Sequence, residues 1–309
     1  MNKVAIVLQC IMPIFVAVTL GILARKKKLM TQESIQGLQQ FVMKFALPCV
    51  LFNSCLTANI STETVSTFAL VVPFMVAATL WAFRFGRKRF PYHNVPMLFC
   101  AQETGMLGIP LYMILFGAAE AYRIGVLDVA QMISAFPTIA ILTANAGENP
   151  SKKALFKNII RSPLLIMSVL GLVLNFSGLA DWMEKFEVLG ILTESTSFLA
   201  QPVSALMIFC VGYNLSLEKG NRKAIFQVSA LHLAWTAAFG IVIQLILLLI
   251  PNVDAMTRWA VLMYTTLPAS YLAPSMGRNK NDFALASGVC SILTLVSLAV
   301  FCVMAVIVA

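Results

Sequence analysis

Pro13-Ile14-Phe15-Val16-Ala17-Val18-Thr19-Leu20-Gly21 lies inside an apolar run, residues 4–24, that stops at the basic patch Arg25-Lys26-Lys27-Lys28. About 20 apolar residues are what a helix needs to cross about 30 Å of hydrocarbon. The run is too long for the apolar region of a signal peptide, and no small-residue cleavage site follows it, so it reads as a first membrane span. Nearly the same stretch returns 150 positions later as Pro163-Leu164-Leu165-Ile166-Met167-Ser168-Val169-Leu170-Gly171.

Working outward, the rest of the chain has the same character. Of its 309 residues, 60% are hydrophobic and 11% charged, against roughly 45–50% apolar and 25% charged in an average soluble domain. A soluble core of this size cannot hide so much apolar surface. A membrane β-barrel would show alternating segments of about ten residues, whereas these runs are continuous and rich in Leu, Ala, Ile, Val and Met. Turn and charge signals divide the chain into spans near 4–24, 38–57, 65–85, 94–117, 122–144, 158–179, 190–216, 224–250, 256–276 and 283–308.

The net charge of +9 could suggest nucleic acid, but the basic residues cluster in short connections, where they set membrane orientation. One side holds Arg25, Lys26, Lys27, Lys28, Arg84, Arg87, Lys88, Arg89, Lys152, Lys153, Lys157, Arg161, Lys219, Arg222, Lys223, Arg278 and Lys280; the other holds Lys3, Arg123, Lys185 and Arg258; Lys44 falls inside span two. A missed or invented span near the middle would scramble that division. Ten spans in an inner membrane, with both termini outside, is the expectation. Cys10, Cys49, Cys55, Cys100, Cys210, Cys290 and Cys302 lie in apolar runs without a C-x-x-C pair and read as packing residues, with no metal or cofactor.

The echo at Pro163 pairs span one with span six, and Pro48 with Pro202 pairs span two with span seven. A five-span unit repeated once must insert its second copy upside down, a construction rule of secondary transporters. The expected units are residues 1–145 and 146–309. In corresponding positions, span four contains Glu103-Thr104-Gly105-Met106-Leu107-Gly108-Ile109-Pro110 and span nine contains Leu267-Pro268-Ala269-Ser270-Tyr271-Leu272-Ala273-Pro274. Proline removes a backbone donor and clashes with the preceding turn, so Pro110 and Pro268 predict matched helix breaks whose carbonyls need water, a cation or substrate as partner.

Lys44, Glu103, Asp128 and His232 are ionisable groups at membrane depth, each a functional candidate because a charge there is costly. Glu103 stands at the break in span four, where protonation or a bound cation would neutralise it. Asp128 shares a helical face with Gln131 and lines a cavity or bridges two helices. Lys44 can snorkel, pair with Glu103 or Asp128, or meet an anion. His232 reads as a satisfied structural histidine, and Asn53, Ser270 and Tyr271 as cavity donors. No Ser/His/Asp, His-Glu-x-x-His or paired-Asp arrangement supports an intramembrane enzyme, and no G-x-x-x-x-G-K-[ST] supports ATP hydrolysis.

These residues resemble the auxin efflux carrier family of transporters, in its bacterial branch with malonate and malate carriers. The resemblance is carried by Pro13 to Gly21 with the basic patch, Ala46-Leu47-Pro48, Gly105 to Leu111, Asp128 with Gln131, Asn158 to Gly171 around Ser162-Pro163, Phe209 to Leu215 with Gly212, and Leu267-Pro268-Ala269. It implies an all-α fold of ten transmembrane helices in two inverted five-helix repeats, similar to bile-acid symporters and sodium/proton antiporters. Spans one, two, six and seven would form a scaffold, and three to five with eight to ten a transport domain that slides like an elevator. Spans four and nine would cross at their prolines beside a bound organic anion. The site expected on this basis comprises Glu103, Thr104, Gly105, Gly108, Pro110, Pro268, Ala269, Ser270, Asp128, Gln131 and Lys44.

Glu103 departs from the family, which usually has Asn there. A neutral amide donates to a carboxylate, whereas an ionised Glu repels it, so a proton or sodium ion is expected to accompany transport. A homodimer through the scaffold is a further expectation, and no nucleic-acid partner is. The alternatives are a channel or sensor on a transporter-derived fold, and a sodium- or proton-coupled carrier of a non-carboxylate substrate.

Overall fold

The computed structural model describes residues 3–58, 62–144, 161–215, 221–250 and 253–308. Lys152, Lys153, Lys157, Lys219 and the start of the predicted sixth span lie outside these residues. Among the described residues there are only helices and one isolated antiparallel bridge, Gln102 with Ala269.

The first half runs through α1 (Lys3–Lys26), α2 (Gln32–Phe41), α3 (Leu47–Leu56), α4 (Thr62–Trp81), α5 (Arg87–Arg89), α6 (Met97–Cys100), α7 (Ile109–Phe116) and α8 (Ala121–Ala144). The second continues with α9 (Pro163–Phe176), α10 (Leu179–Lys185), α11 (Val188–Ala200), α12 (Val203–Asn214), α13 (Arg222–Leu249), α14 (Ala255–Thr266) and α15 (Lys280–Val308). Seven helical stretches among the described residues are long and apolar enough to cross a membrane: 7–26, 32–56, 65–89, 118–142, 188–214, 222–249 and 280–308. The predicted spans at 94–117, 158–179 and 256–276 hold shorter helices instead. This is a helical membrane protein.

The second span begins earlier than residue 38. Thr31 caps α2, its hydroxyl accepting the Ser34 N–H at 3.2 Å, and the sequence Gln32-Glu33-Ser34-Ile35-Gln36-Gly37-Leu38-Gln39 buries only Ile35 completely. Hydropathy alone cannot register a helix this polar as part of a span.

Two helix pairs make the closest approaches. α1 packs on α12 and α9 packs on α3. A side chain at Gly21 would strike the carbonyl of Phe209, and one at Gly212 that of Val18; at Gly171 it would come within 2.5 Å of the Phe52 carbonyl. Small residues are what permit such backbone contact between membrane helices. The two echoed glycines, Gly21 and Gly171, therefore serve the same purpose against different partners. Elsewhere α4 packs on α8, and α13 on α14 and α15.

Wide π-type turns interrupt helices at Val42–Ala46, Ala82–Gly86 and Thr104–Gly108. The first and third directly precede Leu47-Pro48 and Ile109-Pro110, and their closing N–H groups reach back five residues, Leu47 to Val42 and Ile109 to Thr104. The extra residue in the turn makes room for the proline ring within a continuing helix. Pro110 is consequently not at the crossing of spans four and nine. The crossing lies at Gln102 and Ala269, next to Pro268 but well before Pro110, because polar side chains break span four.

Candidate functional site

α6 ends where Ala101 turns extended (φ −156°, ψ 147°), and α14 ends at Leu267, also extended. The two unwound segments meet antiparallel: Glu103 N donates to Pro268 O at 2.8 Å, and Ser270 N to Ala101 O at 3.1 Å. Each break thus supplies part of the hydrogen bonding the other lost, as backbone at membrane depth requires.

Side chains supply the remainder. Gln131 Oε1 accepts from Gln102 N at 2.7 Å and from the Tyr264 hydroxyl at 2.9 Å. Its Nε2 lies 3.1 Å from Gln102 O, 3.0 Å from Thr104 Oγ1 and 2.8 Å from Asp128 Oδ1. The Gln102 amide, turned so that its nitrogen faces acceptors, sits 3.0 Å from Leu267 O, 3.1 Å from Pro268 O and 3.2 Å from His232 Nε2. His232 in turn reaches Leu98 O through Nδ1 at 2.9 Å, a neutral ring donating on one side and accepting on the other, as expected of a structural histidine. Ser134 donates to Cys100 O at 2.7 Å.

Glu103 links both broken spans. Its Oε1 accepts from Met106 N at 3.3 Å, capping the Thr104–Gly108 turn, and its Oε2 accepts from Tyr271 N at 2.6 Å. The Met106 N–H lies in the first turn of the helical segment that resumes span four, where partial positive charge collects and an anion is favoured. The protein places its own carboxylate there. The carbonyls at the crossing likewise find protein partners, where the sequence suggested water, a cation or substrate.

A cavity of about 780 Å³ opens against this crossing. Glu103, Thr104, Gly105, Asp128, Gln131 and Ser270 line its deep end, and Arg25, Gln32, Gln36, Gln39 and Asn214 its mouth. The mouth therefore faces the side carrying the basic connection after α1. Glu103 and Asp128 are 8% and 5% exposed, while Arg25, Gln32 and Gln36 are exposed.

Of the residues expected from sequence, these six deep residues are brought together. Gly108, Pro110, Pro268 and Ala269 do not line the cavity: Gly108 packs against Leu267, and Pro268 and Ala269 form the crossing itself. Lys44 lies exposed on the π-type turn between α2 and α3 and does not line the cavity, although its neighbour Met43 does. Sequence reasoning missed Gln102, Tyr264 and the glutamines of α2. For Gln102 the signal was its position beside Glu103 in an otherwise apolar run.

No curated protein matches the chain. Residues 6–153, which carry α1 through α8 with the fourth-span half of the crossing, match the family model described as Membrane transport protein. Through this match the first half of the chain is similar to the membrane transport protein family, which suggests a membrane transporter.

Proposed function

We propose that the protein is a secondary transporter of a small organic carboxylate, which it binds in the cavity beside the crossing and moves by elevator-type alternating access. The observation that carries this reading is a polar-ended cavity of about 780 Å³, which falls in the size range of small-molecule sites and stops at two broken helices joined to one another. The reciprocal approaches of α1 to α12 and of α9 to α3 support an inverted repeat with these helices as scaffold. The packing of α4 on α8 and of α13 on α14 and α15 supports a separate transport unit. The carboxylate itself is argued from the family resemblance.

A specific observation favours an added element. With Glu103 and Asp128 at the deep end, an anion entering alone meets like charge, so positive charge must enter with it, as a proton or sodium ion in the simplest case. Purified protein in proteoliposomes tests the reading. Saturable counterflow of a carboxylate establishes a carrier, and conductive, non-saturable flux sinks it in favour of a channel. Thermal-shift screening of carboxylates with and without sodium finds the ligand and the ion together.

A further inference from the structure

The orientation of one amide decides what can stand beside the crossing. Gln131 Oε1 accepts the Gln102 N–H and the Tyr264 hydroxyl. Its nitrogen is therefore the end that faces Asp128 Oδ1 at 2.8 Å, Thr104 Oγ1 at 3.0 Å and Gln102 O at 3.1 Å. A carboxylate, a hydroxyl and a backbone carbonyl around one point are the oxygen ligands that a hard metal cation takes. The amide nitrogen already fills that point. A sodium ion could enter only by turning the amide out, which would strand the buried Gln102 N and Tyr264 hydroxyl.

The two carboxylates are bonded differently. Both partners of Glu103 are backbone N–H groups, Met106 on Oε1 and Tyr271 on Oε2. An ionised carboxylate satisfies both, whereas a proton on either oxygen would meet a donor. Asp128 is held through side chains, by Gln131 on Oδ1 and by the Thr104 hydroxyl. That hydroxyl has a second acceptor in Gln102 O at 3.5 Å. When Asp128 gains a proton, Thr104 can turn to Gln102 O and accept from the new O–H, so no group loses its partner. Asp128 is buried but lines the cavity, which gives a proton its route.

Around Asp128, span four brings Glu103 and Cys100, α14 brings Tyr264 and the ninth-span half of the crossing brings Tyr271, while His232 of α13 stands behind the Gln102 amide. α3, α7 and α4 from Val65 onward carry no charged residue. Arg123, earlier on α8, is engaged with Glu120 and Asp254, and Arg25, at the mouth, with Leu215 O. We propose that the charge accompanying the anion is a proton carried on Asp128, with Glu103 kept as the ionised clamp of the crossing and the Gln131 amide standing where sodium would bind. This rests on the carboxylate-carrier reading and deepens it. Neutral Asp128 admits the carboxylate that ionised Asp128 repels, so proton and anion each favour binding of the other.

The test uses the full-length protein in proteoliposomes with malonate, succinate and propionate as probes. Expected is saturable exchange whose apparent KM rises on alkalinisation, toward roughly tenfold per pH unit as the protonated fraction shrinks, and which is the same in sodium as in potassium. Asp128→Asn, neutral at every pH, loses that slope, and Asp128→Glu restores it. If Asp128→Asn folds without exchanging, the thermal shift produced by each probe at two pH values reads the same slope. Dependence on sodium, exchange indifferent to pH, or a slope that survives Asp128→Asn overturns the assignment and leaves the carrier standing. Absence of saturable exchange for all three probes overturns both.

Discussion

The Glu103 carboxylate accepts the backbone N–H of Tyr271 at 2.6 Å, joining a side chain of the fourth span to the unwound backbone of the ninth. Since the same carboxylate also caps the fourth span at Met106, its loss should loosen the crossing before it alters any solute. In Glu103→Gln one oxygen becomes a donor, leaving one of the two N–H groups unpaired at a cost of about 1–3 kcal/mol. The measurement is the melting temperature in detergent, with Glu103→Ala expected to fall further. An unchanged melting temperature in both variants would show that the clamp contributes nothing.

Gln131 serves five polar groups with one amide, accepting from Gln102 N and Tyr264 and lying within reach of Gln102 O, Thr104 and Asp128. Gln131→Leu fills similar space and strands buried Gln102 N and the Tyr264 hydroxyl. Each is expected to cost about 1–3 kcal/mol. Adding Tyr264→Phe should recover part of the loss, and a double-mutant cycle that came out strictly additive would contradict the network.

Gly21 and Gly212 let α1 and α12 touch backbone to backbone, where an added Cβ would meet Phe209 O and Val18 O. Gly21→Val or Gly212→Val must push the helices apart and should destabilise by about 1–3 kcal/mol or more. Gly190→Ala is the control, since nothing lies within 4 Å of the added atom. Its melting temperature should hold or rise, alanine being about 0.8–1 kcal/mol the better helix former.

His93 sits in the connection before α6, its Nδ1 3.3 Å from Arg87 Nη2 and its Nε2 3.2 Å from Leu142 O. Burial, with Arg278 and Arg87 as neighbouring positive charges, lowers its pKa from the ordinary 6.5, against the Leu142 carbonyl and Asp282, which act to raise it. The folded protein holds this proton less tightly than the unfolded chain. Its contribution to stability is therefore complete above pH 6.5 and is lost as the pH falls toward the lowered folded value. The melting temperature should drop on acidification through this window, and His93→Asn should flatten the slope; parallel curves for both proteins would refute the assignment.

Lys44 offers a negative prediction. Exposed and not among the residues lining the cavity, its charge belongs with long side chains that snorkel along an apolar surface. Lys44→Gln should leave solute exchange and its pH profile unchanged, and a lost or altered profile would return Lys44 to the binding site.

Sequence alone determined that this is a helical membrane protein and where most of its spans lie, because a bilayer imposes length and composition on every segment that crosses it. Gly21 and Gly171, Glu103, Asp128 and Gln131 could be singled out too, since polar groups and echoed small residues stand out against such a background. Tertiary structure decided where the fourth span breaks: Gln102 and Glu103 find partners at Pro268 and Tyr271, more than 160 positions away, while a π-type turn lets the helix run through Pro110. It also decided that the polar face of α2 belongs to the cavity and that Lys44 does not. Hydropathy measures each residue against lipid, and only the folded chain determines which polar groups meet lipid, one another, or the space a solute would fill.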